Sequence, residues 1–371
     1  MATTLENITS AVGNLWKRVQ GSPSELPGAF AVDPTHTDQQ KFLVSEIQKD
    51  GHYFQVRVNE LYLPYDRQWF VDYQPLVFAV TECTYDGKPQ AIPTMVGPQL
   101  MPKLPSGELP ERMLFSNTRV AGLYPYRGGR LTLTIVLYRS KRKDIAERLL
   151  KFIETTANAL SFATVVETYL KVANVVVSGV EELAGLGNLD PLLGIRREFD
   201  PDAGDPFTPG YFVLTQKTDL DVSKLWVKGG QLLSGDTLAS AQPFRDAAYA
   251  LYSVMPTTER SDVDTLPIYA LYQEAKKKAA LPGNENWDVA KASLSAMYQL
   301  MVTSPDLLAD HADKLTDGYI AELQKIHGRA DTLKSLALTK RSATTAKARS
   351  ILKLKAAPAK PAKASPKRSG G

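Results

Sequence analysis

The chain has 371 residues, of which 43% are hydrophobic and 23% are charged, and its formal net charge is +4. This length and hydrophobic fraction provide cores for two ordinary domains and exclude a chain that is disordered throughout. The single cysteine, Cys83, excludes an internal disulfide. Because it lies in an apolar run, we expect a buried thiol in a reducing, cytoplasmic compartment.

The charge is distributed unevenly along the chain. Residues 338–371 contain ten Lys or Arg and no acid, which leaves 34 basic and 40 acidic residues in 1–337. The body is therefore acidic, and the C-terminal segment alone makes the protein basic. The first residues lack the basic leader and apolar core of a secretory signal. Every long apolar run contains charges, so we expect no transmembrane segment.

An amphipathic helix is predicted over residues 1–20, where apolar residues recur at spacings of three and four. The residues on this face are Leu5, Ile8, Val12, Leu15 and Val19. Such a face docks on its own protein, on a partner or on a membrane surface. It is therefore a candidate partner helix.

A β-rich domain is predicted over residues 38–235. From residue 53 the apolar period is two, which places Gln55, Arg57 and Asn59 on the polar face of the first strand. The phase of this alternation slips at Asn59-Glu60, and we expect a β-bulge there.

Two local signals define the next strands. Asp86-Gly87 separates two apolar runs and predicts a tight hairpin, since Gly tolerates the positive φ of a primed turn. Pro93 lacks the backbone N–H that a central strand needs, so the second run is expected at an edge of its sheet.

Helical segments interrupt and follow the β-rich domain. The apolar spacing over about 143–185 predicts an inserted helical hairpin. No strand is expected after Phe244. Helices are predicted near 243–255, 267–281, 286–303 and 305–328, in a helical domain over 240–335. The expected fold class is α+β: an antiparallel β-sandwich-like N-terminal domain with a helical insertion, a small helical bundle and a disordered basic tail.

Residues 338–371 are the predicted disordered tail, rich in Lys, Ala and Pro. In composition the Lys/Ala/Pro run and Ser365-Pro366-Lys367-Arg368 resemble the lysine-rich tails of linker histones and of some bacterial nucleoid proteins. Ten positive charges suit salt-dependent attachment to nucleic acid or an anionic membrane, and the alternative is a spacer with no partner. The candidate binding residues are Lys353, Lys355, Lys360, Lys363, Lys367 and Arg368.

A second basic stretch, residues 119–143, lies in the body and contains no acid. Arg side chains match phosphate or carboxylate groups and Tyr rings stack on bases, so this stretch is a candidate surface for nucleic acid or an acidic protein. The alternative is that these charges flank an edge strand and oppose aggregation. The candidate residues are Arg119, Tyr124, Tyr126, Arg127, Arg130, Arg139, Lys141, Arg142 and Lys143.

Four acidic residues crowd together in the sequence: Glu198, Asp200, Asp202 and Asp205. Alternating oxygen ligands on a turn suit Ca²⁺ or another divalent cation. The pattern departs from a complete calcium loop because the glycine is misplaced and no bidentate Glu follows. The alternative is a solvated acidic loop between a helix and a strand. No other cofactor is predicted.

The sequence contains no phosphate loop, nucleophile elbow, zinc-binding helix or paired CxxC motif. The leading hypothesis is a non-enzymatic interaction or scaffold protein, with protein partners or self-association, tethered to a polyanion by its tail. One alternative is a nucleic-acid-binding protein that uses 119–143 and the tail. Another is an enzyme or peripheral membrane protein with a cation loop at 198–205.

Overall fold

The computed structural model describes most of the chain between residues 28 and 352. The described backbone covers 28–43, 46–62, 74–96, 112–113, 118–140, 189–215 and 217–352, with short helical pieces within 10–20 and 176–181. Side chains are described as far as Leu336. The chain divides into two compact units, the first formed by Met1–Ala270 and Met297–Thr316, the second by Leu271–Ala296 and Asp317–Gly371.

The described strands form three antiparallel sheets. In chain order they are β1 (Gly28–Ala31), β2 (Tyr53–Tyr62), β3 (Gln74–Tyr85), β4 (Lys88–Val96), β5 (Arg112–Met113), β6 (Thr118–Pro125), β7 (Leu131–Ser140), β8 (Leu189–Phe199), β9 (Gly210–Thr215), β10 (Leu225–Lys228), β11 (Gln231–Ser234), β12 (Gln242–Pro243) and β13 (Tyr249–Thr257). A six-stranded sheet has the order β1-β9-β13-β2-β5, with β6 also paired to β2. A four-stranded sheet has the order β4-β3-β7-β8, and a three-stranded sheet the order β10-β11-β12.

Three local sequence signals are confirmed in these sheets. Asp86 and Gly87 join β3 to β4 with φ values of 50° and 67°. Pro93 lies on β4, at an edge of the four-stranded sheet. In the pairing of β13 with β2, Leu251 faces Glu60 and Tyr252 faces Val58, so the residue between, Asn59, is the bulge. The hairpin, the edge strand and the bulge each depend on residues that are close together in the chain, so the sequence predicts them.

The main hydrophobic cluster draws side chains from the two larger sheets. Val56 and Tyr252 come from the six-stranded sheet, and Val77, Ile135 and Leu193 come from the four-stranded one. A second cluster joins the other face of the six-stranded sheet to the three-stranded sheet, through residues that include Val213, Leu251, Val227 and Leu232. Strand β13 is therefore buried on both faces over much of its length.

The helix predicted near 243–255 is wrong. This segment contains β12 and β13, and β13 lies between β9 and β2 inside the six-stranded sheet. A strand buried on both faces is apolar at successive positions, so its sequence lacks the period of two that marks a half-buried strand. The first unit continues to Ala270, beyond residue 240, where the helical domain was expected to begin.

Three helices follow: α1 (Tyr269–Ala279), α2 (Asn284–Val302) and α3 (Ala309–Leu352). The fold is therefore a mixed α+β fold. Within the second unit, Tyr272 stacks on Tyr319 at 4.0 Å and Trp287 on His327 at 5.0 Å between ring centroids. Lys276 Nζ donates to Glu322 Oε1 at 2.6 Å. In the described part of the chain, no helix is long and apolar enough to cross a membrane.

The predicted boundary of the disordered tail is also corrected, because α3 continues to Leu352 rather than ending near residue 328. Its last turns are rich in Ala, Lys, Arg and Leu, which favour helix, and an exposed Gly328 costs only about 1 kcal/mol relative to Ala. Residues 353–371 lie outside the described residues.

Two further predictions fall largely outside the described residues. The five apolar residues predicted for the N-terminal partner helix are not described. Of the predicted hairpin over about 143–185, only four residues are described, and all four are helical. Three of them, Val176, Val177 and Val180, are buried.

Candidate functional site

A cleft of about 400 Å³ opens on one face of the six-stranded sheet. Its floor is formed by side chains from β2, β13 and β9. Its walls are the 3-10 turn Gln40–Phe42 and the glycine pair between β10 and β11. The described residues that line it are Gln39, Phe42, Gln55, Arg57, Asn59, Tyr211, Gly229, Gly230, Ser253, Met255, Pro256 and Thr257. We call it the sheet-face cleft.

Strand register aligns the residues at its floor. Ser253 on β13 is directly opposite Arg57 on β2 and directly opposite Tyr211 on β9. Arg57 is in turn opposite Arg119 on β6. Directly opposed residues in antiparallel strands point to the same face of the sheet. The four side chains therefore form one row across the sheet.

A hydrogen bond from the backbone to a side chain connects the walls. Gly229 and Gly230 connect β10 to β11 with φ values of 58° and 76°, as a two-residue primed turn requires. The Gly229 N–H donates to Asp38 Oδ2 at 2.9 Å, which ties this turn to the segment before the Gln40–Phe42 turn. Phe42 stands at the mouth of the cleft with 49% of its surface exposed.

Arg57 gives the cleft its charge. Of the described residues that line it, Arg57 alone carries a charge at neutral pH. Its Nε and Nη2 donate to Gln55 Oε1 at 3.1 and 3.0 Å, which holds the guanidinium on the floor. Burial and the neighbouring Arg119 lower the pKa of Arg57, because both disfavour the charged form. A negative charge in the cleft would offset both effects.

Ser253 is the unusual residue of the row. Its residue surface is 0% exposed, and its Oγ has no hydrogen-bond partner among the described residues. Leaving a buried hydroxyl unpaired costs about 1–3 kcal/mol, so such groups are rare in folded proteins. Its neighbour Tyr211 has a pKa raised by burial and by Asp38, and it therefore stays a neutral hydroxyl.

Three cations of the basic stretch at 119–143 have partners in the described part of the body. Arg119 Nη1 lies 3.5 Å from Asp262 Oδ2, and Arg130 Nη1 lies 3.4 Å from Glu198 Oε1. Arg127 donates to Asp50 Oδ1 at 3.0 Å and to the Leu307 carbonyl at 2.8 Å. The body's own groups therefore engage these three cations.

The two tyrosines of this stretch that were predicted to stack on bases lie in the core. Tyr124 and Tyr126 are 1% and 4% exposed and belong to the main hydrophobic cluster. Both pack against Phe54, at centroid distances of 5.7 and 6.5 Å. The side chains of Arg139, Lys141, Arg142 and Lys143 lie outside the described residues.

The acidic residues Glu198 and Asp200 have partners within the described structure. Glu198 lies on β8, so it is not part of a loop between a helix and a strand as expected. Asp200 caps the 3-10 turn Pro201–Ala203, where its Oδ1 accepts from the Ala203 N–H at 3.3 Å. Among the described residues, no three His, Cys, Asp or Glu side chains lie close enough to hold a metal ion. The described geometry thus gives the cation hypothesis no support.

Sequence reasoning identified part of the sheet-face cleft and missed the rest. It placed Gln55, Arg57 and Asn59 on the polar face of a strand, which is where the structure has them. It missed Ser253 because that residue fell in a predicted helix. No signal in the sequence could have paired Ser253 with Arg57, since nearly two hundred residues separate them.

Comparisons of the chain with models of protein families, with curated proteins and with solved structures found no match. Function is therefore inferred from the cleft and from the charge distribution.

Proposed function

We propose that this is a non-enzymatic interaction protein in which the sheet-face cleft receives a partner group while the basic C-terminal segment holds the protein near a polyanion. The supporting observation is Ser253, a buried hydroxyl without a hydrogen-bond partner among the described residues, at the floor of an open cleft beside Arg57. Buried donors without an acceptor are rare in folded proteins. A bound partner that accepts a hydrogen bond from the Ser253 hydroxyl would explain this one.

The architecture proposed for this role is a β-sandwich-like domain. It is supported by the hydrophobic cluster that the six-stranded and four-stranded sheets share. We also propose that the protein acts in the cytoplasm. The only cysteine of the sequence, Cys83, is a buried free thiol, which suits a reducing compartment.

The proposed tether is the segment after residue 337, with ten basic residues and no acid. In the body, by contrast, Arg119, Arg127 and Arg130 have carboxylate partners. This contrast favours nucleic acid binding through the tail as a second candidate function. Such binding would be independent of sequence, because phosphate contacts carry no base information.

The tether is tested in the full-length chain by replacing the ten Lys and Arg after residue 337 with Gln. Binding to DNA, RNA and anionic vesicles is measured at about 50 and about 200 mM salt, since counterion release makes such binding steeply salt-dependent. We expect the wild-type protein to bind one of these polyanions and the variant to lose that binding. A control variant replaces three exposed body cations, Lys228, Lys277 and Lys334, with Gln. Equal binding by the wild type and the tail variant would refute the tether.

The cleft is tested with Phe42→Asp, which changes an exposed side chain at its mouth. Light scattering on the full-length chain over a range of concentrations measures self-association, and co-purification reports a protein partner. We expect the substitution to weaken the assembly that the wild type forms. A wild-type monomer at all concentrations without a bound partner would contradict the interaction role.

A further inference from the structure

We propose that the sheet-face cleft binds an organic anion, whose carboxylate or phosphate group lies against Arg57 and Ser253 and whose apolar part contacts Phe42 and Met255. This inference rests on the proposed function, since it names the chemistry of the group that the cleft receives.

The charge of the cleft selects the sign of the ligand. Arg57 is half-buried, and the residue opposite it on the neighbouring strand, Arg119, is also a cation. None of the described residues that line the cleft is acidic, and Asp262, which lies 3.5 Å from Arg119, is not one of them. A partly desolvated guanidinium is stabilised by an opposite charge and destabilised by a like charge. An anion is therefore favoured in the cleft and a cation is opposed.

The hydroxyl of Ser253 supplies a donor beside this charge. Strand register places it between Arg57 and Tyr211, with all three side chains on the same face. Because Ser253 is 0% exposed, a ligand oxygen reaches its Oγ only when a flanking side chain turns aside. A hydrogen bond from a neutral donor to an anionic oxygen is stronger than one to a neutral acceptor. An anionic ligand thus gains the most from this hydroxyl.

The dimensions and walls of the cleft suit a small organic ligand. Its volume of about 400 Å³ lies in the range of small-molecule sites. Phe42 at the mouth and Met255 with Pro256 along the end of β13 provide an apolar surface beside the charged floor. A ligand with an anionic group at one end and an apolar or aromatic group at the other matches this division.

The test measures binding of four aromatic probes to the full-length protein by calorimetry and by ligand-observed NMR. Phenylphosphate and phenylacetate are the anions, benzyl alcohol is the neutral analogue and phenethylamine is the cation. We expect an anion to bind and the other two to bind much more weakly. Arg57→Gln and Ser253→Ala should each weaken anion binding by about tenfold, as expected for loss of a charged hydrogen bond.

Two controls separate the cleft from other effects. Thr134→Val removes another buried hydroxyl without a partner among the described residues, on β7 and away from the cleft. It should leave anion binding unchanged. The full-length variant with the ten tail cations replaced by Gln should also bind the probe as the wild type does, because the cleft does not include the tail.

Binding of either anion with the expected loss in Arg57→Gln and Ser253→Ala supports the proposal, and the preferred probe decides between phosphate and carboxylate. If benzyl alcohol or phenethylamine binds instead, and Ser253→Ala weakens it, the cleft remains a binding site while its anion specificity is refuted. Anion binding that is unchanged in Arg57→Gln and in Ser253→Ala also refutes the proposal. If no probe binds, both the anion site and the cleft's part in the proposed function are overturned.

Discussion

The hydroxyl of Tyr53 lies 3.0 Å from Nδ1 of His311 and accepts a hydrogen bond from the backbone N–H of Leu308 at 2.8 Å. All three groups are buried. This arrangement attaches the start of α3 to strand β2 inside the first unit. Arg260 adds to it, because its Nη1 donates to the Asp306 carbonyl at 2.8 Å.

Tyr53→Phe should destabilise the protein by about 1–3 kcal/mol, since it leaves the Leu308 N–H and the imidazole of His311 without this buried partner. Urea denaturation followed by circular dichroism measures the free energy of unfolding. Tyr298→Phe is the matched control, because its hydroxyl donates to Asp313 at an exposed site and should contribute less. Equal losses in the two variants would contradict the importance of the Tyr53 contact.

Stability should decrease as the pH falls below about 6.5, the ordinary pKa of histidine. Burial lowers the pKa of His311, and the nearby cations Arg260 and Lys314 act in the same direction against the opposing effect of Glu259. His311 therefore binds a proton more tightly in the unfolded chain than in the folded protein, so protonation favours unfolding. Denaturation at pH 7.5, 6.5 and 5.5 measures the effect. His311→Asn should flatten the dependence over this interval, and an unchanged slope would exclude His311 as its source.

Arg260→Met should cost about 3 kcal/mol or more, because it removes one partner of a buried ion pair. The Arg260 side chain is 0% exposed, and its Nε lies 2.7 Å from Asp262 Oδ1. Lys314→Met is the control, since the Lys314 and Glu259 side chains are each 62% exposed and such pairs contribute about 0–1 kcal/mol. Chemical denaturation of both variants gives the comparison, and similar small losses would refute the prediction.

Cys83 should be unreactive in the folded protein. Burial raises the pKa of its thiol to about 12, so the thiolate that attacks disulfide reagents is scarce and inaccessible. We expect slow reaction with Ellman's reagent in buffer and complete reaction of one thiol in denaturing urea. Rapid labelling without denaturant would show that the strand containing Cys83 opens readily.

Local chemistry allowed the sequence to determine several elements of the fold. The hairpin at Asp86-Gly87 depends on the positive φ that Gly accepts, and the edge position of β4 depends on the missing N–H of Pro93. The bulge at Asn59 is visible because it changes the phase of the apolar alternation. These features depend on a few neighbouring residues, which a sequence displays directly.

Other features depended on contacts between distant parts of the chain. The sequence of strand β13 predicts a helix, because sheets cover both of its faces and it is apolar at successive positions. Tyr124 and Tyr126 looked like binding residues among cations, and only packing against Phe54 shows that they belong to the core. A residue's burial depends on what covers it, and the residues that cover it are remote in sequence.

The sheet-face cleft combines features that the local sequence determines with features that depend on contacts between distant segments. The sequence alone determined that Arg57 lies on the polar face of a strand, because its apolar neighbours alternate with it. Only the tertiary structure decided that Ser253 and Tyr211 lie beside Arg57 and that the Gly229-Gly230 turn lines the same cleft. Strand pairing between distant segments forms the site, and pairing partners are chosen by the burial of whole sheets rather than by the residues that line the cleft.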